Sequence, residues 1–164
     1  FSTSVWPSTS FISKNFTFNS YGGLDKMRVP KKYIKKGRFK LHSGQYSNVF
    51  YDVNELLTDF YECMKIIKKI PSNYQTYVGI ATGGAILASQ LSIWRNWAMI
   101  KDGELKGEII GDYCLIDDVC TTENSLKEAI KLIGKTPKKI FVVMDRRKQK
   151  TLNILSMYNE TLNH

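Results

Sequence analysis

The chain has 164 residues, 43% of them hydrophobic, which is enough for one domain with a buried core and short for two. Its formal charge of +9 is uneven: residues 1–50 hold nine Lys or Arg against one acid, Asp25, whereas residues 51–164 hold fifteen against fourteen, so the body of the protein is nearly neutral. No run approaches the ~20 apolar residues of a membrane span, no short apolar stretch follows a basic start as in a secretory signal, and Cys63, Cys114 and Cys120, an odd number without CxxC spacing, read as reduced core residues of a cytoplasmic protein.

Residues 1–26 are rich in Ser, Thr, Asn and Phe, show no helical or strand period and do not begin with Met. They read as a disordered or non-native leader, with residues 27–164 forming the domain. The basic excess falls in residues 26–40, KMRVPKKYIKKGRFK, which could meet nucleic acid or a phosphorylated substrate, or be a solvated face, the commonest fate of such runs. Residues 48–53, NVFYDV, predict a short strand, and residues 54–70 a helix with Leu57, Phe60, Tyr61, Met64, Ile67 and Lys68 at helical spacing, ended by Pro71. Residues 76–81, TYVGIA, predict a strand, Gly83 and Gly84 a turn, and residues 85–94 a helix. Apolar runs at 97–100 and 113–116 predict two more strands, the second entering Asp117 and Asp118. Residues 125–133 place Leu126, Ala129, Ile130 and Ile133 on one helical face, with Gly134 as the stop. Residues 139–144, KIFVVM, predict the last strand and residues 151–162 a final helix. Strands alternating with helices, several of them apolar throughout, predict a single-domain α/β fold with a central, mostly parallel sheet covered by helices on both faces.

Residues 114–125, CLIDDVCTTENS, concentrate the chemistry. In an open parallel sheet, ligands sit at the carboxyl ends of strands, where Asp117 and Asp118 fall. Adjacent carboxylates there can accept hydrogen bonds from a sugar diol or hold a hydrated Mg²⁺, both of which need anionic oxygens without bulk. Thr121, Thr122 and Ser125 follow at the start of the predicted helix, where free N–H groups and the positive dipole end suit an anion. The plainer alternative is a capped helix after a strand with two surface acids.

These residues resemble the phosphoribosyl pyrophosphate (PRPP) signature of type I phosphoribosyltransferases. Residues 37–53, GRFKLHSGQYSNVFYDV, are similar to the N-terminal signature of the orotate phosphoribosyltransferase family; residues 79–88, GIATGGAILA, to its pyrophosphate loop; and residues 144–148, MDRRK, to its strand followed by Asp-Arg. The resemblance implies a Mg²⁺-dependent transfer of ribose 5-phosphate from PRPP to orotate or a related base, in a homodimer. It implies PRPP contacts at Asp117, Asp118, Val119, Cys120, Thr121, Thr122, Glu123, Asn124 and Ser125, at Thr82, Gly83 and Gly84, and at His42, which is otherwise a polar surface residue. It implies metal binding by Asp117 and Asp118, in part through water. Lys101 and Lys106 would neutralise the leaving group, or else be solvated loop residues; Arg146 would meet the pyrimidine; Phe50 and Tyr51 would flank the base or pack in the core.

Three features depart from the family. Glu123 and Asn124 stand where it commonly has glycine. At ~6 Å and an effective dielectric of ~20, a carboxylate facing a phosphate costs about 3 kcal/mol per charge pair, so Glu123 is expected to point away, as a first-turn residue of the helix. The loop IKDGELKGE is short and lacks the family's Arg, Ile100 standing there, and its His. No counterpart of the family's N-terminal helix precedes Gly37. These departures leave a non-catalytic PRPP- or nucleotide-binding module as the alternative.

Overall fold

The structure is a computed structural model that describes residues 28–40, 44 and 46–160. The leader at 1–26, His42 and the last residues of the helix expected at 151–162 lie outside the described residues. Two strands, β1 (Ile34–Lys40) and β2 (Tyr46–Tyr51), pair antiparallel in a small sheet of their own. The main sheet has six strands, β3 (Thr76–Ile80), β4 (Asn96–Lys101), β5 (Glu104–Lys106), β6 (Tyr113–Cys120), β7 (Lys139–Asp145) and β8 (Ile154–Asn159), in the order β5-β4-β3-β6-β7-β8. All of them are parallel except β5, which runs antiparallel beside β4.

Alternation along the strands divides the interior in two. Tyr77, Cys114, Ile116, Phe141 and Val143 face a core shared with α1 (Val53–Thr58), α2 (Phe60–Lys69) and α3 (Gly83–Leu91), contributed by Leu56, Ile66 and Leu87. Val78, Ala98, Leu115 and Val142 face the opposite core, closed by Leu126 and Ala129 of α4 (Asn124–Ile133). Helices therefore cover both faces, as a parallel sheet with apolar strands requires. Gly134 ends α4 in the left-handed region at φ 70°, and Cys63, Cys114 and Cys120 are free and buried.

Two expectations are corrected and two elements are added. The helix predicted at 54–70 is broken at Asp59, which is extended and whose carboxylate caps α2 by accepting from the N–H groups of Tyr61 and Glu62. That break resets the helical face: Leu56, Cys63, Ile66 and Ile70 are buried, whereas Phe60, Tyr61 and Met64 are exposed. The C-terminal segment forms strand β8 beside β7 instead of a helix, because pairing with a fully buried strand overrides the helix-forming composition of its Leu, Met and Glu. Strand β1 is a further element, hidden in the basic run; its lysines are exposed, with Lys35 bonded to Asp52 at 2.6 Å, while Lys32, just before the strand, is bonded to Asp59 at 2.7 Å. Finally, β4 and β5 form a hairpin around Asp102 (φ 52°) and Gly103 (φ 77°). Two consecutive positive φ values are the geometry of a two-residue turn that follows the strand twist, for which Asp-Gly is a strong sequence signal.

The sheet order places the site. From β3 the chain moves outward to β4 and then returns to lay β6 on the other side of β3. The loops after β3 and β6 thus diverge above a crevice at their carboxyl ends, the topological switch point where such sheets bind ligands.

Candidate functional site

Asp117 and Asp118 lie inside β6, close to its carboxyl end. Asp117 is buried, at 5% exposure. Its Oδ1 accepts the Asp118 N–H at 2.9 Å, and its Oδ2 accepts the Ser125 hydroxyl at 3.0 Å. Burial, reinforced by the charge of Asp118, pushes the Asp117 carboxyl well above the usual carboxylate range. Asp118 is half-buried, and its Oδ1 accepts the Val119 N–H at 2.7 Å.

Two helices begin beside these acids. Helix α4 starts after Glu123, and α3 starts after Thr82; neither start carries a side-chain cap. Each leaves backbone N–H groups and a positive dipole end available to an anion. The start of α3 is pressed against the acid strand by missing side chains. A Cβ on Gly83 would lie 2.5 Å from Cβ of Asp118, one on Gly84 would lie 2.2 Å from the carbonyl oxygen of Ile116, and one on Gly79 would lie 2.3 Å from the carbonyl oxygen of Gly84. These glycines are therefore demanded by packing alone, before any ligand is considered. The Ala81–Thr82 peptide is cis.

Around this centre, Thr121 is half-buried while Thr122, Asn124 and Ser125 are exposed at the head of α4. Val119 packs against the first core and Cys120 into the second, so these two residues offer the crevice backbone only. Burial pushes the Cys120 thiol up to about 11, as befits a packing residue. A cleft of about 700 Å³ opens between the β3–α3 loop, the β4–β5 turn and α4, lined among others by Thr82, Lys101, Asp102, Ser125, Glu128 and Lys131. Lys101 projects at the mouth of this cleft, whereas Lys106 is bonded at 3.0 Å to Glu104, both exposed.

Glu123 departs from its expected place in the first turn of α4. It is the residue before the helix, held at φ 62° in the left-handed region, where a side chain is disfavoured and glycine is not. Its carboxylate does point away from the crevice, but into the protein and not into solvent: Glu123 is 3% exposed. It accepts hydrogen bonds from the Arg147 guanidinium, the Thr151 hydroxyl, the Thr151 N–H at 2.9 Å and the Leu152 N–H at 3.0 Å, and it lies 3.2 Å from Lys127 Nζ. Burial alone would raise its pKa; the bonds from Thr151, Leu152 and Arg147 more than reverse this and hold the carboxyl far below its usual range. Arg147 is gripped from the other side by Asp145, at 2.8 Å and 2.9 Å. Nothing in the isolated DRRK motif distinguishes this structural arginine from its neighbour.

Arg146 occupies a separate place between the two sheets. Its Nε and Nη2 donate to the two carboxylate oxygens of Glu160, each at 2.9 Å, Nη2 also donates to Ser47 Oγ at 3.0 Å, and the Tyr51 ring lies 5.1 Å from the guanidinium carbon. Tyr51 is a core residue at 7% exposure, whereas Phe50 is half open to solvent and stacks on Phe39 at 5.4 Å. Of the two aromatic residues, Tyr51 thus takes the packing role and Phe50 is the one presented outward.

No family model matches the chain. It is 31% identical over 144 residues to the orotate phosphoribosyltransferase of Pyrococcus horikoshii, covering 74% of this chain and 77% of that one. It is 30% identical over 154 residues to the orotate phosphoribosyltransferase of Pyrococcus abyssi, covering 80% and 84%. The chain belongs to the orotate phosphoribosyltransferase family. The fold agrees: the crystal structure of orotate phosphoribosyltransferase from Aeropyrum pernix superposes with a TM-score of 0.69 at 21% identity, over 80% of this chain and 91% of that one.

Proposed function

We propose that this chain transfers ribose 5-phosphate from PRPP to orotate, giving orotidine monophosphate and pyrophosphate. The observation that carries this reading is the convergence of two uncapped helix starts on a pair of adjacent carboxylates at the switch point of the sheet. PRPP has two anionic groups joined by a ribose diol, and the crevice offers a counterpart for each. The head of α4, with Thr121, Thr122, Asn124 and Ser125, suits the 5-phosphate. Thr82, Gly83 and Gly84 at the head of α3 suit the pyrophosphate. Asp117 and Asp118 lie between them for the ribose hydroxyls, and Val119, Cys120 and Glu123 shape the loop through their backbone.

In the reaction the bond from C1 to the pyrophosphate oxygen breaks with its electron pair leaving on pyrophosphate, while a base nitrogen supplies the pair for the new C1–N bond. The sugar carbon passes through an oxocarbenium-like state, so positioning and charge stabilisation carry the rate. The twin acids, sharing a proton between them, lie beside the developing cation with the negative charge they retain, and the two helix starts hold the ends of the substrate. Lys101, exposed at the mouth of the cleft, is placed to meet the departing pyrophosphate; Lys106, tied to Glu104, contributes less.

Mg²⁺ fits this donor set. Asp117 and Asp118 are hard oxygen ligands, and no cluster of three or more His, Cys, Asp or Glu exists among the described residues; that suits an ion held by one or two carboxylates, water and substrate oxygens. When bound it would neutralise charge on the pyrophosphate. Residues 27–164 form the catalytic domain in this reading, Arg146 and Phe50 face the base, and a cytoplasmic homodimer is what the family implies. The test is to incubate the protein with PRPP, Mg²⁺ and each of orotate, uracil, hypoxanthine and adenine and to measure pyrophosphate release. Release with orotate is expected; PRPP binding with no release from any base would leave a binding module instead.

A further inference from the structure

Arg146 lies between the small sheet and the end of β8, its guanidinium nearly buried, at 8% exposure, and paired side-on with a carboxylate of its own chain. Glu160 takes the Nε and Nη2 edge of the guanidinium in the two-bond geometry that a substrate carboxylate would also seek. The Tyr51 ring covers one face, and Ser47 takes a further proton of Nη2. Among the described residues these bonds engage Nε and Nη2 and leave Nη1 outside them. The group that the base meets is therefore not a free cation but a neutralised pair with one open edge.

Resting on the reading of Arg146 as the base-recognition group, we propose that Glu160 sets base selectivity. It acts as a built-in rival for the carboxylate of orotate, and it leaves the Nη1 edge to a neutral carbonyl that any pyrimidine carries. Two consequences follow from charge alone. An anionic base entering this site meets Glu160 as a like charge and must share or displace it, whereas a neutral base meets no such opposition. Discrimination between orotate and uracil is accordingly weaker than a lone arginine would give. Glu160 is 29% exposed, so solvent is at hand for it to swing outward when a stronger rival arrives.

The test is Glu160→Gln, which keeps the size and one acceptor for Arg146 while removing the charge, with Glu160→Ala as a second variant and a thermal midpoint for each to establish folding. For both variants the KM for orotate is expected to fall about tenfold, the orotate-to-uracil ratio of kcat/KM to rise by a similar factor, and the KM for PRPP to stay within twofold. An orotate KM that is unchanged or higher in folded, active variants overturns the inference while leaving the transferase reading standing. If no base supports turnover in any of the proteins, the transferase reading fails instead. In that event calorimetric titration of orotate into the wild type and Glu160→Gln, each with PRPP and Mg²⁺, decides the role of Glu160: tighter binding to the variant sustains it, and equal or weaker binding overturns it.

Discussion

Glu123 and Arg147 form a buried ion pair, each side chain 3% exposed, at the junction between the loop before α4 and the segment that follows β7. The pair explains how a residue with a side chain occupies a left-handed position that favours glycine: four groups from residues 147–152 hold its carboxylate out of the crevice. Removing one member of such a pair strands the other charge in the interior, at a cost of about 3–5 kcal/mol. Arg147→Met is therefore expected to lower stability by at least that amount, and Glu123→Gly added to it to restore part of the loss, because glycine accepts φ 62° and removes the Glu123 charge while the buried Asp145 still lacks its arginine. Urea midpoints of the two single variants and the double variant measure this. Equal losses in Arg147→Met and the double variant would contradict it. With the carboxylate already turned away, Glu123→Gly alone is expected to change PRPP affinity by less than tenfold.

Gly83 and Gly84 should tolerate nothing larger. In Gly84→Ala the new Cβ meets a backbone oxygen at 2.2 Å, and in Gly83→Ala it meets Asp118 at 2.5 Å. Overpacking of this kind costs about 1–3 kcal/mol, and a shift of the acids by even ~1 Å lowers kcat/KM about a hundredfold. Kinetics at a temperature where both variants remain folded check this; a Gly83→Ala enzyme with unaltered kcat/KM would show that Asp118 yields without consequence.

The pH dependence of stability should have two arms. Asp117 has a folded pKa above its ordinary value, so the folded protein keeps a proton that the unfolded chain has already lost, and stability falls as pH rises through that folded pKa. Glu123 and Asp145 are held below their ordinary values by the hydrogen bonds that offset their burial. Their contribution is present above the ordinary carboxylate range and is lost on acidification through the folded pKa. A plot of urea midpoint against pH is expected to peak near the ordinary carboxylate range, at about pH 4–5, and to decline from there toward the folded pKa of Asp117. Asp117→Asn should remove the decline on the alkaline side and leave the acid arm intact. A profile in Asp117→Asn that falls as steeply as the wild type would rule out Asp117 as its source.

Lys101 and Lys106 separate by environment. Lys101→Ala is expected to lower kcat by about tenfold, less than the ~10²–10³ of a buried donor because the site is open to water, and Lys106→Ala by less than threefold. Single-turnover rates at saturating PRPP distinguish the two, and a larger effect at Lys106 would reverse the assignment.

Much of this architecture was legible in the chain itself, for identifiable reasons. The apolar runs that became β3, β6 and β7 are buried on both faces, so their composition leaves little choice. The twin acids and the hydroxyl-rich loop follow directly from one of those strands. What escaped was decided by partners distant in sequence or by a short turn. Strand β8 pairs with β7 along one side, and its Leu155 is exposed, so no strand pattern is visible in residues 151–162. Strand β1 is almost wholly exposed and lysine-rich, which masks its period. Glu160 meets Arg146 across fourteen residues, and Arg147 meets Glu123 across twenty-four, contacts that no local pattern encodes. The Asp102–Gly103 turn did carry a local signal, overshadowed by the reading of this segment as a short loop.

Calorimetric titration of PRPP with Mg²⁺ into the wild type and into Asp117→Asn combined with Asp118→Asn tests the central claim most directly. The wild type is expected to bind one PRPP per chain, and the double variant, still folded, to bind it at least a hundredfold more weakly. Equal affinity in the two proteins, or no binding to the wild type, would contradict the assignment of the crevice between α3 and α4 to this substrate.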